Sequence, residues 1–134
     1  MLPNSPRRGP AGLQTLIVLA LGGAAGALLR YACTLAGARL SLRGVPLAVL
    51  AINVAGCFAA GWLLAYFARR PEAGENLRLF AAVGLLGAFT TFSAFSVENL
   101  ELLRQGAALR AVMHGALHLV LAVGAAGLGA YLGR

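Results

Sequence analysis

Four long apolar runs occupy most of this 134-residue sequence and limit what it can fold into. A bilayer hydrocarbon core about 30 Å thick is crossed by a helix of roughly 20 apolar residues, and each run reaches that length. With 60% hydrophobic and 11% charged residues, the chain carries far less charge than a soluble domain. We predict an all-α integral membrane protein, a single transmembrane domain over residues 1–134 that begins with a polar tail at 1–12. The four predicted transmembrane helices lie at about 13–36, 46–68, 77–98 and 111–132.

The basic residues are all arginines, and they lie between the apolar runs. Eleven of them oppose four acidic residues, which gives a net charge of +7. A nucleic-acid-binding protein would gather such charge on a polar surface, so we expect no nucleic-acid partner. Six arginines fall on one side of the membrane and five on the other, a balance that predicts insertion in both orientations and an antiparallel homodimer, but that also occurs by chance. The six are Arg7, Arg8, Arg69, Arg70, Arg78 and Arg134.

Small residues recur at four-residue spacing within the runs, a pattern that lets helix backbones approach each other closely in a membrane. We interpret most of these residues as packing contacts that carry no chemistry. The short links between the runs predict that consecutive helices are antiparallel neighbours. The small-residue pairs are Gly22 and Gly26, Gly56 and Ala60, Cys57 and Gly61, and Ala125 and Gly129.

The third run has an unusual middle, because glycine, threonine and serine crowd residues 84–98. This composition favours a helix broken near its middle, where freed carbonyls need either a hydroxyl or a cation inside the protein. A kinked but continuous helix is the alternative. Phe92 and Phe95 are three residues apart and share one helical face. Ser93 and Ser96 share the adjacent face.

These groups can be combined into a pathway for an anion. The edge of an aromatic ring carries positive potential, so Phe92 and Phe95 offer an anion weak attraction without a full charge. Asn53 and Ser93 add hydrogen-bond donors that can replace the water around a small anion and still let it leave. Arg30, near the end of the first run, can raise the local anion concentration or extend to the interface. The alternative for Asn53 is a hydrogen bond between helices.

His114 and His118, in the fourth run, are four residues apart and therefore lie on one helical face. This spacing suits a pair of metal ligands, but no acidic residue or cysteine is suitably placed to complete a metal site. We predict instead that the two rings belong to a hydrogen-bonding polar track, and that their protonation makes the track sensitive to pH.

Three blocks of the sequence carry a resemblance to a known family. They contain GALLRY at 26–31, NVAGCF at 53–58 and GAFTTFSAFS at 87–96. These blocks resemble the small fluoride channels called Fluc, or CrcB-like proteins, and the resemblance covers all four runs. It implies a fluoride-selective ion channel that lets cytoplasmic fluoride leave passively through a bacterial plasma membrane, with fluoride and membrane lipid as its partners.

The resemblance also implies an assembly and a set of site residues. The assembly is an antiparallel dual-topology homodimer with two pores, each built from both subunits. A structural sodium ion is implied at the dimer centre, held by the backbone carbonyls of Gly87 and Thr90 at the break in the third helix. The implied pore residues are Asn53, Phe92, Ser93 and Phe95, with Arg30 in the vestibule.

The sequence also departs from the family pattern. Val49, Cys57 and Ala94 stand where the family commonly has threonine, serine and threonine, which removes hydroxyls in or near the expected pore. His114 and His118 stand about where we align the tyrosine and serine of the family's fourth helix, so we add both to the predicted pore residues.

Two other functional classes also use short transmembrane helices. A small multidrug-type proton-coupled exporter needs a carboxylate inside a span, and the first run has none. A non-transporting membrane assembly subunit would account for the glycine packing, but it gives Asn53 and the Thr-Thr-Phe-Ser run no purpose. We predict no enzymatic activity, because the sequence shows no nucleophile and base pair, metal set or phosphate-binding loop.

Overall fold

The computed structural model describes residues 12–134, within which four helices are long and apolar enough to cross a membrane. The first, α1, spans Leu13–Gly37, and the second, α2, spans Ala48–Ala68. A short antiparallel hairpin joins them, formed by β1 at Ser41–Leu42 and β2 at Val45–Pro46. The prediction of a largely helical chain with four helices of membrane-spanning length is therefore confirmed.

The third span is assembled from several consecutive pieces. It begins with α3 at Glu75–Arg78, continues through a π-helical segment at Leu79–Leu85, and reaches α4 at Leu86–Phe89. After two residues with extended backbone it resumes as α5 at Phe92–Arg104. The fourth span is one helix, α6, at Ala108–Leu132.

Several predicted span bounds differ from the structure. The third span begins at Glu75 rather than 77, and the fourth begins at Ala108 rather than 111. The second helix begins at Ala48 rather than Pro46, because Pro46 pairs with Ser41 in the hairpin. The third span ends at Arg104 rather than at about 98, since α5 continues through most of the polar stretch 101–106.

The helical conformation of residues 101–104 has a local cause. The Gln105 side-chain amide donates to the Glu101 carboxylate at 2.9 Å, one turn earlier, which supports the last turn of α5. Gly106 then adopts a positive φ of 71° and redirects the chain toward α6. Of the predicted polar tail at 1–12, everything before Gly12, including Arg7 and Arg8, lies outside the described residues.

Glycines allow the helices to pack closely in two pairs, α1 against the third span and α2 against α6. A side chain at Gly26 would collide with the backbone carbonyl of Leu85, and one at Gly129 with the carbonyl of Phe58. These contacts bring backbone against backbone, which is how helices associate where lipid removes the hydrophobic drive.

Few large apolar side chains are buried inside the described chain. Ile52, Leu86 and Phe89 form the buried cluster, at the meeting point of α2 and α4. Many other large apolar side chains, such as Leu28 and Leu64, are exposed on the outer faces. Such a surface suits lipid or another apolar protein face as its surroundings.

Candidate ion pathway

Two threonines interrupt the third span between α4 and α5. Thr90 has φ −79° and ψ 154°, and Thr91 has φ −153° and ψ 123°, so both residues have extended backbone. The Thr91 hydroxyl then caps α5 by accepting a hydrogen bond from the Ala94 N–H at 3.3 Å. Threonine suits this position because its short side chain reaches the free N–H groups of the first helical turn.

Asn53 of α2 forms hydrogen bonds with the backbone of Thr91, at the interruption. Its Nδ2 donates to the Thr91 carbonyl at 2.9 Å, and its Oδ1 accepts from the Thr91 N–H at 2.8 Å. The Thr91 N–H has no helical acceptor, and the Asn53 oxygen satisfies it, while the Thr91 carbonyl at the N-cap of α5 gains a donor from the same amide. An amide nitrogen carries two hydrogens, so Nδ2 keeps one for a further acceptor.

The bond from Thr91 to Asn53 and the capping bond from Ala94 to Thr91 leave two carbonyls without their usual helical donors. The Thr91 N–H would close a helical turn on the Gly87 carbonyl, but it donates to Asn53 instead. The Ala94 N–H would close a turn on the Thr90 carbonyl, but it donates to the Thr91 hydroxyl. The Gly87 and Thr90 carbonyls are thereby released from helical hydrogen bonding.

Phe92 and Phe95 occupy the first turn of α5. Their ring centroids are 5.4 Å apart, with an angle of 52° between the ring planes. Phe92 is 78% exposed, whereas the Phe95 ring packs against the chain's two imidazoles. Its centroid lies 5.2 Å from that of His114 and 4.3 Å from that of His118.

His114 is fully buried between two side chains of α5. Its Nδ1 lies 3.2 Å from Oδ1 of Asn99, and its Nε2 lies 3.5 Å from Oε2 of Glu98. One ring nitrogen therefore faces an amide oxygen and the other faces a carboxylate oxygen.

His118 lies one turn further along α6 and lines the pathway. Its Nδ1 lies 3.1 Å from the backbone oxygen of His114, and the two rings meet edge to face at 4.5 Å. Nε2 of His118 is buried and has no hydrogen-bond partner within residues 12–134.

An open cavity of about 520 Å³ brings most of the predicted site together. Six predicted residues line it: Asn53, Gly87, Thr90, Phe92, Phe95 and His118. Cys57, Thr91 and Leu119 are among its other walls. A second cavity of about 640 Å³ near Phe67 and Arg78 includes none of the predicted residues in its lining.

Comparison with known proteins identifies the family. The profile described as "CrcB-like protein, Camphor Resistance (CrcB)" matches residues 17–130. The chain belongs to the CrcB-like family. A relative from Idiomarina loihiensis, named fluoride-specific ion channel FluC, is 47% identical over 107 residues, covering 80% of this chain and 82% of that protein.

Further relatives carry the same name. The FluC protein of Hyphomonas neptunium is 40% identical over 119 residues, with 88% of this chain and 94% of the relative covered. That of Paracoccus denitrificans is 39% identical over 120 residues, with 90% and 94% covered. These matches confirm the resemblance to CrcB-like channels that we inferred from the three sequence blocks.

Three predicted residues of this CrcB-like chain lie off the cavity wall. The Ser93 hydroxyl is exposed and lies 3.1 Å from the Thr91 hydroxyl. His114 supports the wall from behind, through its ring contacts with Phe95 and His118. Arg30 lies on α1, where its Nε is buried without a hydrogen-bond partner in the described part of the chain.

Two further residues of the site were not predicted as members. Thr91 holds Asn53 and caps α5, and Asn99 contacts His114. The doubled threonine was a signal for Thr91, because a β-branched residue with a capping hydroxyl disfavours helix continuation. Asn99 carries no comparable local signal in the sequence.

Proposed function

We propose that this chain forms a fluoride-selective ion channel that gives passive export of cytoplasmic fluoride. The observation that carries the proposal is the cavity beside the third span, where an aromatic pair, an amide and an imidazole share one wall. Among the described residues that line it there is no Asp, Glu, Lys or Arg. The relatives named fluoride-specific ion channels support the same function.

The proposed conduction uses weak, neutral contacts. The ring edges of Phe92 and Phe95 attract an anion without a fixed charge, and the free hydrogen of the Asn53 amide donates to it. Ser93, close to the Thr91 hydroxyl, supplies a further donor at the exposed end of α5. Weak binding lets the ion leave, and an inside-negative membrane potential drives an anion outward.

The proposed working unit is an antiparallel dual-topology homodimer with two pores in a bacterial plasma membrane, surrounded by lipid. The open cavity and the 78% exposure of Phe92 support it, because a second copy can close the wall that one chain leaves open. The nearly even distribution of arginines is compatible with insertion in both orientations. Arg30 is then the proposed vestibule residue that raises the anion concentration near the entrance.

We also propose that the interruption in the third span forms a structural sodium site. Oxygen ligands suit hard cations, and unwound backbone carbonyls bind sodium in other membrane proteins. The Gly87 and Thr90 carbonyls fit this role, since their helical donors are bound elsewhere. Both residues also line the open cavity beside the third span. The ion would stabilise the break between α4 and α5.

Fluoride efflux from liposomes tests the channel function. Purified protein is reconstituted with internal potassium fluoride, and valinomycin supplies the potassium counter-current. We expect fluoride to leave rapidly while chloride, loaded in parallel liposomes, stays inside. Equal chloride efflux, or no efflux of either ion, would contradict the proposal. A requirement for a pH gradient would favour a proton-coupled exporter instead.

A further inference from the structure

His118 is unusual among the residues that line the cavity. Among the described residues that line the cavity, His118 is the one whose side chain ordinarily changes its charge between about pH 5 and 8. It is only 7% exposed, and the Phe95 ring lies against it. Its protonation state therefore alters the electrostatics of the pathway itself.

Hydrogen bonding fixes the tautomer of His118. Its Nδ1 lies 3.1 Å from the backbone oxygen of His114, and a carbonyl oxygen can only accept. The hydrogen of the neutral ring must therefore be on Nδ1, which leaves a lone pair on Nε2. Nε2 is buried, with no hydrogen-bond partner in the described chain.

The two protonation states then affect an anion in opposite ways. Fluoride accepts hydrogen bonds and donates none, so the Nε2 lone pair of the neutral ring repels it. The protonated ring carries an N–H at Nε2 and a positive charge, and a charged donor forms the stronger kind of hydrogen bond. We propose that His118 is a proton-dependent fluoride donor, so that conduction by this chain increases as the pH falls. This inference rests on the proposed channel function.

The groups around His118 set the conditions for its titration. From its own helix, His114 lies with its ring centroid 4.5 Å away. From α5, Glu98 reaches His114 Nε2 at 3.5 Å and offsets the charge of a protonated His114 ring. From α2, Cys57 lies on the cavity wall, and from α4 the wall residue is Gly87. The two imidazoles are close enough that their titrations are coupled.

The donor atom is also shielded from water. Phe95, whose ring centroid lies 4.3 Å from that of His118, and His114 are the aromatic neighbours of the ring. Such a dry site strengthens a hydrogen bond to a charged donor relative to the same bond in water.

The experiment measures fluoride efflux from liposomes over a pH series, with equal pH inside and outside. Efflux from protein-free liposomes is subtracted at each pH to remove leakage of undissociated acid. We expect the wild-type rate to increase at least about tenfold between about pH 8.5 and about pH 5.5, across the range in which histidine titrates. Fluoride efflux that is independent of pH would overturn the inference, whereas no fluoride efflux at any pH would overturn the channel function itself.

Two variants assign the pH dependence to His118. His118→Gln places an amide that donates at every pH, so we expect its rate to change less than about twofold over the same range. His118→Leu removes the donor, and we expect slow efflux throughout. His114→Gln, which removes the neighbouring ring, should keep a rate that increases toward low pH. A pH dependence that survives in His118→Gln and disappears in His114→Gln would contradict the proposal.

A spectroscopic measurement tests the tautomer without any flux. The chain contains two histidines, so isotope-labelled histidine gives two sets of ring nitrogen signals, and His114→Gln leaves the set of His118. At high pH we expect His118 to carry its hydrogen on Nδ1. A hydrogen on Nε2 at high pH would overturn the inference even if efflux depends on pH.

Discussion

The two halves of the third span are held in place by different forces. The first half, residues 79–89, carries no polar side chain and packs against α1. Its closest contacts are backbone to backbone, at Gly22, Gly26 and Gly84. The second half, α5, packs against α6 through polar and aromatic side chains.

The two halves of this one span therefore have different roles, packing in the first half and contact with an ion in the second. Close backbone packing gives the first half a fixed position, and its apolar side chains offer no hydrogen-bond donor to an anion. The second half presents rings and polar groups whose contacts are individually weak, which suits an ion that must bind and leave. Asn53 connects the halves, since it holds Thr91 at the junction.

The largest expected effect is on the packing of the first half. Gly26→Val would place its side chain against the Leu85 backbone, which cannot move as a flexible side chain can. We expect a loss of about 3 kcal/mol or more in the free energy of unfolding, measured by denaturant titration in micelles. Gly23→Val is the matched control, because a Cβ there would meet nothing within 4 Å in the described chain. If both variants are equally stable, backbone packing does not hold this half.

The junction should show a smaller loss of stability with a large loss of function. Asn53→Ala leaves the Thr91 N–H and carbonyl without their partner, which we expect to cost about 2 kcal/mol in the same titration. Fluoride efflux should fall as well, since the variant removes a proposed donor. Leu64→Ala, on an exposed face of the same helix, is the control for stability and for efflux. Unchanged stability of Asn53→Ala would show that the junction does not depend on this amide.

The sequence predicted positions well where they depend on local pattern. The length of each apolar run fixed a span within a few residues, because crossing a bilayer demands a continuous apolar helix. The second predicted span began two residues too early, at 46, because Pro46 pairs with Ser41 in the hairpin and α2 starts only at Ala48. Helix ends depend on such contacts more than helix centres do.

Side-chain partners were predicted less well than the residues themselves. Asn53 was expected to matter, but its partner Thr91 lies 38 positions away and on another helix. Likewise His114 meets Asn99, at a separation of 15 positions. Helical periodicity relates residues three or four apart, so it cannot identify pairs that only tertiary packing brings together.

The smallest expected change in stability accompanies a clear change in function, at Phe92. Because Phe92 is 78% exposed in the single chain, we expect Phe92→Ile to alter the free energy of unfolding by no more than about 0.5 kcal/mol. Losing the ring edge should slow fluoride efflux about tenfold, equivalent to about 1.4 kcal/mol. Phe80→Ile makes the same change in the first half and should leave efflux unchanged, because Phe80 is absent from the cavity lining. Equal efflux from the two variants would mean that conduction does not depend on the second half more than on the first.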